Sequence, residues 1–79
     1  MQKETFLECA KESGFNVTLY TTSTKTNTFI CDSGILDVYL VFIETSFNSI
    51  ILWNTFKKSD NCIDDIKILI DFMLFKEEG

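Results

Sequence analysis

The segment from Ile35 to Thr45 places the strongest constraint on how this chain can fold. It alternates like a β-strand, but both sets of alternate residues are apolar, and Asp37 and Glu44 are its only charges. A strand that is apolar on both sides has to be covered on both sides, by the rest of the chain or by a partner. The sequence therefore predicts a central strand at residues 35–45.

Three further segments have the pattern of strands. Residues 15–20 alternate as a half-buried strand, residues 29–31 form a short second strand, and residues 48–56 form a fourth. The threonine-rich run from Thr21 to Thr28 is predicted to be a hairpin loop, and a turn at residues 32–34 precedes the central strand. Because the connections are short, the strands are expected to pair as an antiparallel meander.

Two segments with helical periodicity flank these strands. Residues 2–13 carry Phe6, Cys9 and Ala10 on one side, and Gly14 ends this helix. The last helix carries Asp64 and Asp65 in its first turn, near the positive end of its dipole. Its main apolar face consists of Cys62, Ile63, Ile66, Leu69, Ile70, Met73 and Leu74. A second apolar stripe, made of Ile68, Phe72 and Phe75 at i, i+4 and i+7, lies well away from that face.

The predicted fold is a single α+β domain over residues 1–79, in the order helix, four-stranded antiparallel β-meander, helix. Each helix has one main apolar face, so both helices are expected to lie on one face of the sheet. The other face, with Tyr39 and Trp53, is then short of cover, as is the second stripe of the last helix. Tyr and Trp are favoured anchors of protein interfaces, so association with a protein is expected.

Missing residue types exclude most chemistry. The chain has no histidine, no arginine and no proline. It therefore lacks an imidazole base and a Ser-His or Cys-His pair, and it lacks the guanidinium group that binds phosphate or carboxylate through two hydrogen bonds. Adjacent aspartates such as Asp64 and Asp65 point about 100° apart on a helix and are explained by capping. We predict no enzyme, no catalytic residue, no cofactor and no metal site. An enzyme that uses carboxylate or cysteine chemistry is the third hypothesis, after the two binding functions given below.

The cysteines and the apolar stretches bear on location. Cys9, Cys31 and Cys62 are an odd number without a close pair, which fits neither a disulfide framework nor a CxxC element. The longest uncharged stretch, Thr45 to Phe56, has 12 residues, whereas a spanning helix needs about 20. The N-terminus has no basic region followed by an apolar one. We therefore expect a cytoplasmic protein without membrane contact.

Charge argues against direct binding of nucleic acid. The order of the elements resembles the double-stranded-RNA-binding domain, but that family has a lysine-rich start to its second helix, where this chain has Asp64 and Asp65. The net charge is −5, with −3 on residues 26–56 and −4 on residues 60–79. Attraction to phosphate is therefore absent. Such a surface would instead be drawn to a basic groove that normally holds nucleic acid.

Residue usage is rich in Ile, Phe, Asn and Lys and poor in Gly, Ala, Arg and Pro, which is typical of an AT-rich genome. A short, acidic, arginine-free chain running helix, meander, helix resembles the small inhibitors that phages and other mobile elements make against bacterial immunity, notably anti-CRISPR proteins. The likeness covers the architecture of the whole chain and rests on no motif. It implies a non-enzymatic inhibitor that occupies the DNA-binding surface of a bacterial effector in the host cytoplasm.

The expected partner-binding residues are acidic side chains for electrostatic steering and apolar side chains for anchorage. They are Asp32, Asp37, Tyr39, Glu44, Trp53, Asp64, Asp65, Ile68, Asp71, Phe72 and Phe75. The alternative is a homo-oligomeric structural or regulatory domain, a homodimer for example. In it, two copies pack across a two-fold axis and bury either the stripe of Ile68, Phe72 and Phe75 or the open sheet face.

Overall fold

The computed structural model describes residues 2–78, with side chains through Lys76. Its elements are α1 (Lys3–Glu12), β1 (Asn16–Thr21), β2 (Asn27–Asp32), β3 (Val38–Glu44), β4 (Ile50–Lys57) and α2 (Ile63–Glu78). The strands form one antiparallel sheet in the order β1-β2-β3-β4. The predicted α+β class, element order and meander are thus confirmed.

The end of α1 follows from a single glycine. Gly14 has a φ of 87°, in the left-handed region that glycine enters without steric cost. The Gly14 N–H donates to the Lys11 carbonyl at 3.1 Å, and the Phe15 N–H donates to the Ala10 carbonyl at 2.9 Å. This pair of hydrogen bonds is a Schellman motif, which satisfies the last helix carbonyls. The chain passes from it directly into β1.

One face of the sheet is covered by α2. Ile66, Ile70 and Leu74 are spaced one turn apart and pack against Ile30 and Val41 in the middle of the sheet. Tyr39 and Trp53 lie on this same side, half-buried against that cluster. The expectation that Tyr39 and Trp53 lack cover is therefore wrong, because α2 lies over them, whereas Ile51 on the same face in β4 is 49% exposed.

The opposite face is covered by α1. The Phe6 ring centroid is 5.3 Å from that of Phe29 and 4.8 Å from that of Phe42. Phe29 and Ile30 are neighbours in β2, so their side chains point to opposite faces of the sheet. The prediction that both helices lie on one face is therefore wrong, and the sheet lies between them. Because β2 and β3 are apolar on both faces, one helix on each side removes more apolar surface from water.

The central strand is shorter than predicted. The Leu36 N–H donates to the Ser33 carbonyl at 3.1 Å, so residues 33–36 form a turn rather than the start of β3. Ile35 is 92% exposed in this turn. The ladder between β2 and β3 ends at the pair Cys31 and Leu40. On its other side β3 pairs with β4 as far as Val38 and Lys57, and the Lys58 N–H donates to the Asp37 carbonyl at 2.9 Å. Residues 35–37 therefore lie beyond the last residue pair of both ladders.

Candidate protein-interaction surface

The outward side of α2 carries an exposed apolar stripe. We call Ile68, Phe72 and Phe75 the outer stripe; their exposed fractions are 68%, 65% and 62%. Residues at i, i+4 and i+7 share one side of a helix, and here that side is opposite the one formed by Ile66 and Ile70. The structure therefore brings these three predicted site residues together at the surface.

Some exposed apolar side chains were not among the predicted site residues. Leu69 is 37% exposed at the margin of the outer stripe. Ile35 and Phe47 are 92% and 87% exposed, each in a turn of the sheet. The sequence offers a signal for Phe47, because it directly follows the turn residues Thr45 and Ser46. Helical periodicity placed Leu69 in the main apolar face of the last helix, but this residue lies at the border between the two apolar sides.

Acidic side chains extend the outer stripe at its N-terminal end. Asp64 and Asp65 lie in the first turn of α2, and both are exposed. Ile68 follows them by four and three residues, so all three side chains share one region of the helix surface. Asp37, a further predicted steering residue, is exposed in the β2–β3 connection.

Asp71 instead joins α2 to the β1–β2 hairpin. Its carboxylate accepts hydrogen bonds from the Tyr20 hydroxyl at 2.9 Å, the Ser23 hydroxyl at 2.7 Å and the Ser23 N–H at 3.0 Å. The bonds from Ser23, followed by that from Tyr20, lower the pKa of the Asp71 carboxyl, because they stabilise its charged form. The hydrogen bond to Asp71 likewise raises the pKa of the Tyr20 phenol. The Lys67 ammonium lies 5.9 Å from the centroid of the Tyr20 ring.

These hydrogen bonds predict a pH dependence of stability. Because the folded-state pKa of Asp71 is lowered, its contribution is fully present above the ordinary value of 3.8 and is lost as the pH falls through the lower folded-state value. Asp71→Asn is therefore expected to lose less stability than the wild type between about pH 6 and about pH 2. Urea unfolding at both pH values measures the difference. The matched control is Asp37→Asn, at an exposed position in the β2–β3 connection, and equal losses in the wild type and Asp71→Asn would contradict the assignment.

The other predicted steering residues are engaged within the chain. Asp32 forms an ion pair with Lys58, whose ammonium also donates to the Ser33 carbonyl at 2.7 Å. Glu44 accepts a hydrogen bond from the Asn27 side chain at 3.0 Å. The two remaining anchors, Tyr39 and Trp53, pack beneath α2. Of the predicted set, the structure gathers Asp64, Asp65 and the outer stripe on one surface and places the rest elsewhere.

A shallow apolar groove of about 230 Å³ lies beside α1. Phe6, Phe15 and Phe42 line it together with the thiols Cys9 and Cys31. Burial raises the pKa of the Cys31 thiol to about 11, so this thiol is protonated at neutral pH and is a poor nucleophile. The groove offers apolar contact, and its described lining supplies no acid–base pair.

Thiol labelling should divide the cysteines by burial. Cys9 and Cys62 are exposed, whereas Cys31 is buried in β2. A thiol reagent at neutral pH is therefore expected to modify two cysteines rapidly in the folded protein and the third only after unfolding. Intact-mass spectrometry with and without urea counts the adducts. Rapid triple labelling of the folded chain would show that β2 is accessible, contrary to the structure.

Within residues 2–78, neither helix has both the length and the apolar character needed to cross a membrane. Three or more acidic, thiol or imidazole side chains are nowhere grouped to hold a metal ion in that part of the chain. Comparison with known proteins gives no match to a protein-family model, a curated protein or a solved structure.

Proposed function

We propose that this protein is a non-enzymatic protein-binding inhibitor that occupies a surface on another polypeptide. The exposure of the outer stripe carries the proposal: Ile68, Phe72 and Phe75 are each more than 60% exposed on one side of a helix. An exposed apolar patch of a few hundred Å² is often an interaction site, because leaving it in water is unfavourable. Aromatic side chains are enriched at the centres of interfaces.

The narrower proposal is that the target is a bacterial nucleic-acid-targeting defence effector of the CRISPR type, and that the chain is encoded by a phage or mobile element. A net charge of −5 without arginine favours the basic surface of such an effector over the nucleic acid itself. Inhibition would be steric: the outer stripe anchors the protein, Asp64 and Asp65 guide its approach, and bound target DNA is displaced.

Target-DNA binding by a CRISPR effector tests this function. Saturating wild-type protein is expected to reduce DNA binding, and raised salt is expected to slow inhibitor association where carboxylates steer it. Phe72→Asp should abolish the inhibition, because it places a charge at the centre of the outer stripe. Phe47→Asp is the matched control, since it makes the same change at an exposed phenylalanine in the β3–β4 turn. Unchanged DNA binding at saturation would discard the CRISPR target.

The second candidate is a homo-oligomeric structural or regulatory domain, and the same exposed stripe favours it. In this case the outer stripes of two copies would bury each other across a two-fold axis. Light scattering over a range of concentrations separates the two candidates. A mass that stays at 9.1 kDa removes the oligomer, whereas a dimer that Phe72→Asp dissociates and Phe47→Asp does not would support it.

A further inference from the structure

The charges around the outer stripe indicate the chemistry of the partner surface that binds it. Resting on the proposed function, we propose that the outer stripe docks against an apolar surface of another protein that is flanked by lysine or arginine side chains. Those basic side chains face Asp64 and Asp65, at the N-terminal end of α2. The proposal thus fixes both the class of partner surface and the direction in which α2 lies on it.

The apolar area is large enough for the centre of one interface. A whole aromatic side chain presents about 150–250 Å², so the outer stripe and Leu69 together present on the order of 400 Å² at their observed exposure. A standard interface covers about 800 Å² of each partner, and a little over half of it is apolar. Anchors at i, i+4 and i+7 are also the spacing with which a helix enters an apolar groove.

The charge on α2 gives that interface a direction. Asp64 and Asp65 are exposed in the first turn, whereas Asp71 is held by Tyr20 and Ser23 and Lys67 lies over the Tyr20 ring. Lys76, in the last turn, is exposed at the other end. The exposed side-chain charge near the outer stripe is therefore negative at its N-terminal end. Asp64 and Asp65 attract basic side chains of a partner to this end of the outer stripe and not to the rest of it.

The same charges fit a second copy of this chain less well than a basic partner. Parallel α2 helices would bring Asp64 and Asp65 of the two copies together, and antiparallel helices would set these two carboxylates against the single ammonium of Lys76 of the other copy. A partner with several basic side chains offers Asp64 and Asp65 more cations and speeds the encounter. A second copy is the competing outcome in the experiment below.

Two designed peptides serve as the probe. Both are amphipathic helices with leucine on one side, flanked by lysine in one peptide and by glutamate in the other. The full-length chain, labelled with ¹⁵N, is titrated with each peptide, and amide shifts locate the site. The lysine peptide is expected to bind at least about tenfold more tightly, with shifts centred on residues 64–76. Phe72→Asp should remove this binding, and Phe47→Asp should leave it unchanged.

Charge reversal tests the direction. Asp64→Lys/Asp65→Lys is expected to reverse the preference, so that the glutamate peptide binds more tightly. Glu8→Lys/Glu12→Lys makes the same change in net charge on exposed positions of α1, across the sheet, and should retain the preference for lysine. Equal binding of the two peptides, or an equal effect of the two charge reversals, would overturn the proposal. So would a dimer that Phe72→Asp dissociates.

Failure here is distinguishable from failure of the proposed function, since neither the peptides nor the amide shifts involve an effector. Lysine-selective binding at α2 without inhibition of DNA binding removes the effector as target and supports the surface assignment. Inhibition that survives Phe72→Asp, together with no peptide selectivity, overturns the surface assignment and leaves the inhibitor function in place.

Discussion

Phe29→Ala is expected to lower the free energy of unfolding by about 3–5 kcal/mol, the usual loss for a buried phenylalanine. The Phe29 side chain is fully buried in β2, one of the two inner strands of the sheet. Its ring is 5.3 Å from that of Phe6, the aromatic side chain through which α1 packs on the sheet. Alanine would therefore leave a cavity and also remove one of the two aromatic contacts through which Phe6 packs on the sheet.

The loss expected for Phe29→Ala is large relative to the total free energy of unfolding. At about 0.05–0.15 kcal/mol per residue, a chain of this length is stabilised by roughly 4–12 kcal/mol. Urea unfolding followed by circular dichroism should show a much lower midpoint or a chain that is already unfolded without urea. Phe47→Ala is the matched control: its side chain is 87% exposed, and an exposed site usually changes stability by less than about 0.5 kcal/mol. Similar midpoints for the two variants would show that α1 does not pack on Phe29.

Periodicity predicted the elements because each signal is local. The change from helical spacing to alternation after Gly14 marks the boundary between α1 and β1, and the left-handed φ of that glycine explains why the helix ends there. Short polar connections likewise predicted the meander, because antiparallel neighbours need only a tight turn. The error at residues 35–37 arose because strand pairing, which is not local, stops at Val38, the last residue of β3 that pairs with β4.

The side of the sheet that each helix covers could not be read from the helices alone. A helix with one apolar face can pack on either face of a sheet, and the choice depends on how the chain leaves the connecting turn. The better signal was in the strands: Phe29 and Phe42 point one way, and Ile30 and Val41 point the other way. Because both faces are apolar, two helices on one side would have left the other side in water.

The outer stripe was predictable for the same local reason, since its spacing is a property of α2 alone. Which carboxylates are hydrogen-bonded within the chain was not predictable, because their partners are far away in sequence. Tyr20 and Ser23 are 51 and 48 residues from Asp71, and Asn27 is 17 residues from Glu44. Hydrogen bonds of this kind are fixed only after the hairpin and the helix have packed together. Counting charges therefore does not show which carboxylates are hydrogen-bonded within the chain.

The orientation of α2 gives the second large prediction. Ile70→Ala is expected to lower the free energy of unfolding by about 2–5 kcal/mol, whereas Ile68→Ala should change it by less than about 0.5 kcal/mol. The two positions have the same residue type and lie two residues apart in the same helix. Ile70 is fully buried with Ile66 against the sheet, whereas Ile68 is 68% exposed.

Urea unfolding of both variants measures how α2 is rotated about its axis. The helix propensity of alanine favours both substitutions by the same small amount, so the difference between them reports burial alone. A larger loss for Ile68→Ala, or equal losses, would mean that the outer stripe faces the sheet or a second copy of the chain. The expected order would leave the outer stripe exposed in the isolated protein, so that the apolar area buried on binding is still in contact with water before the partner arrives.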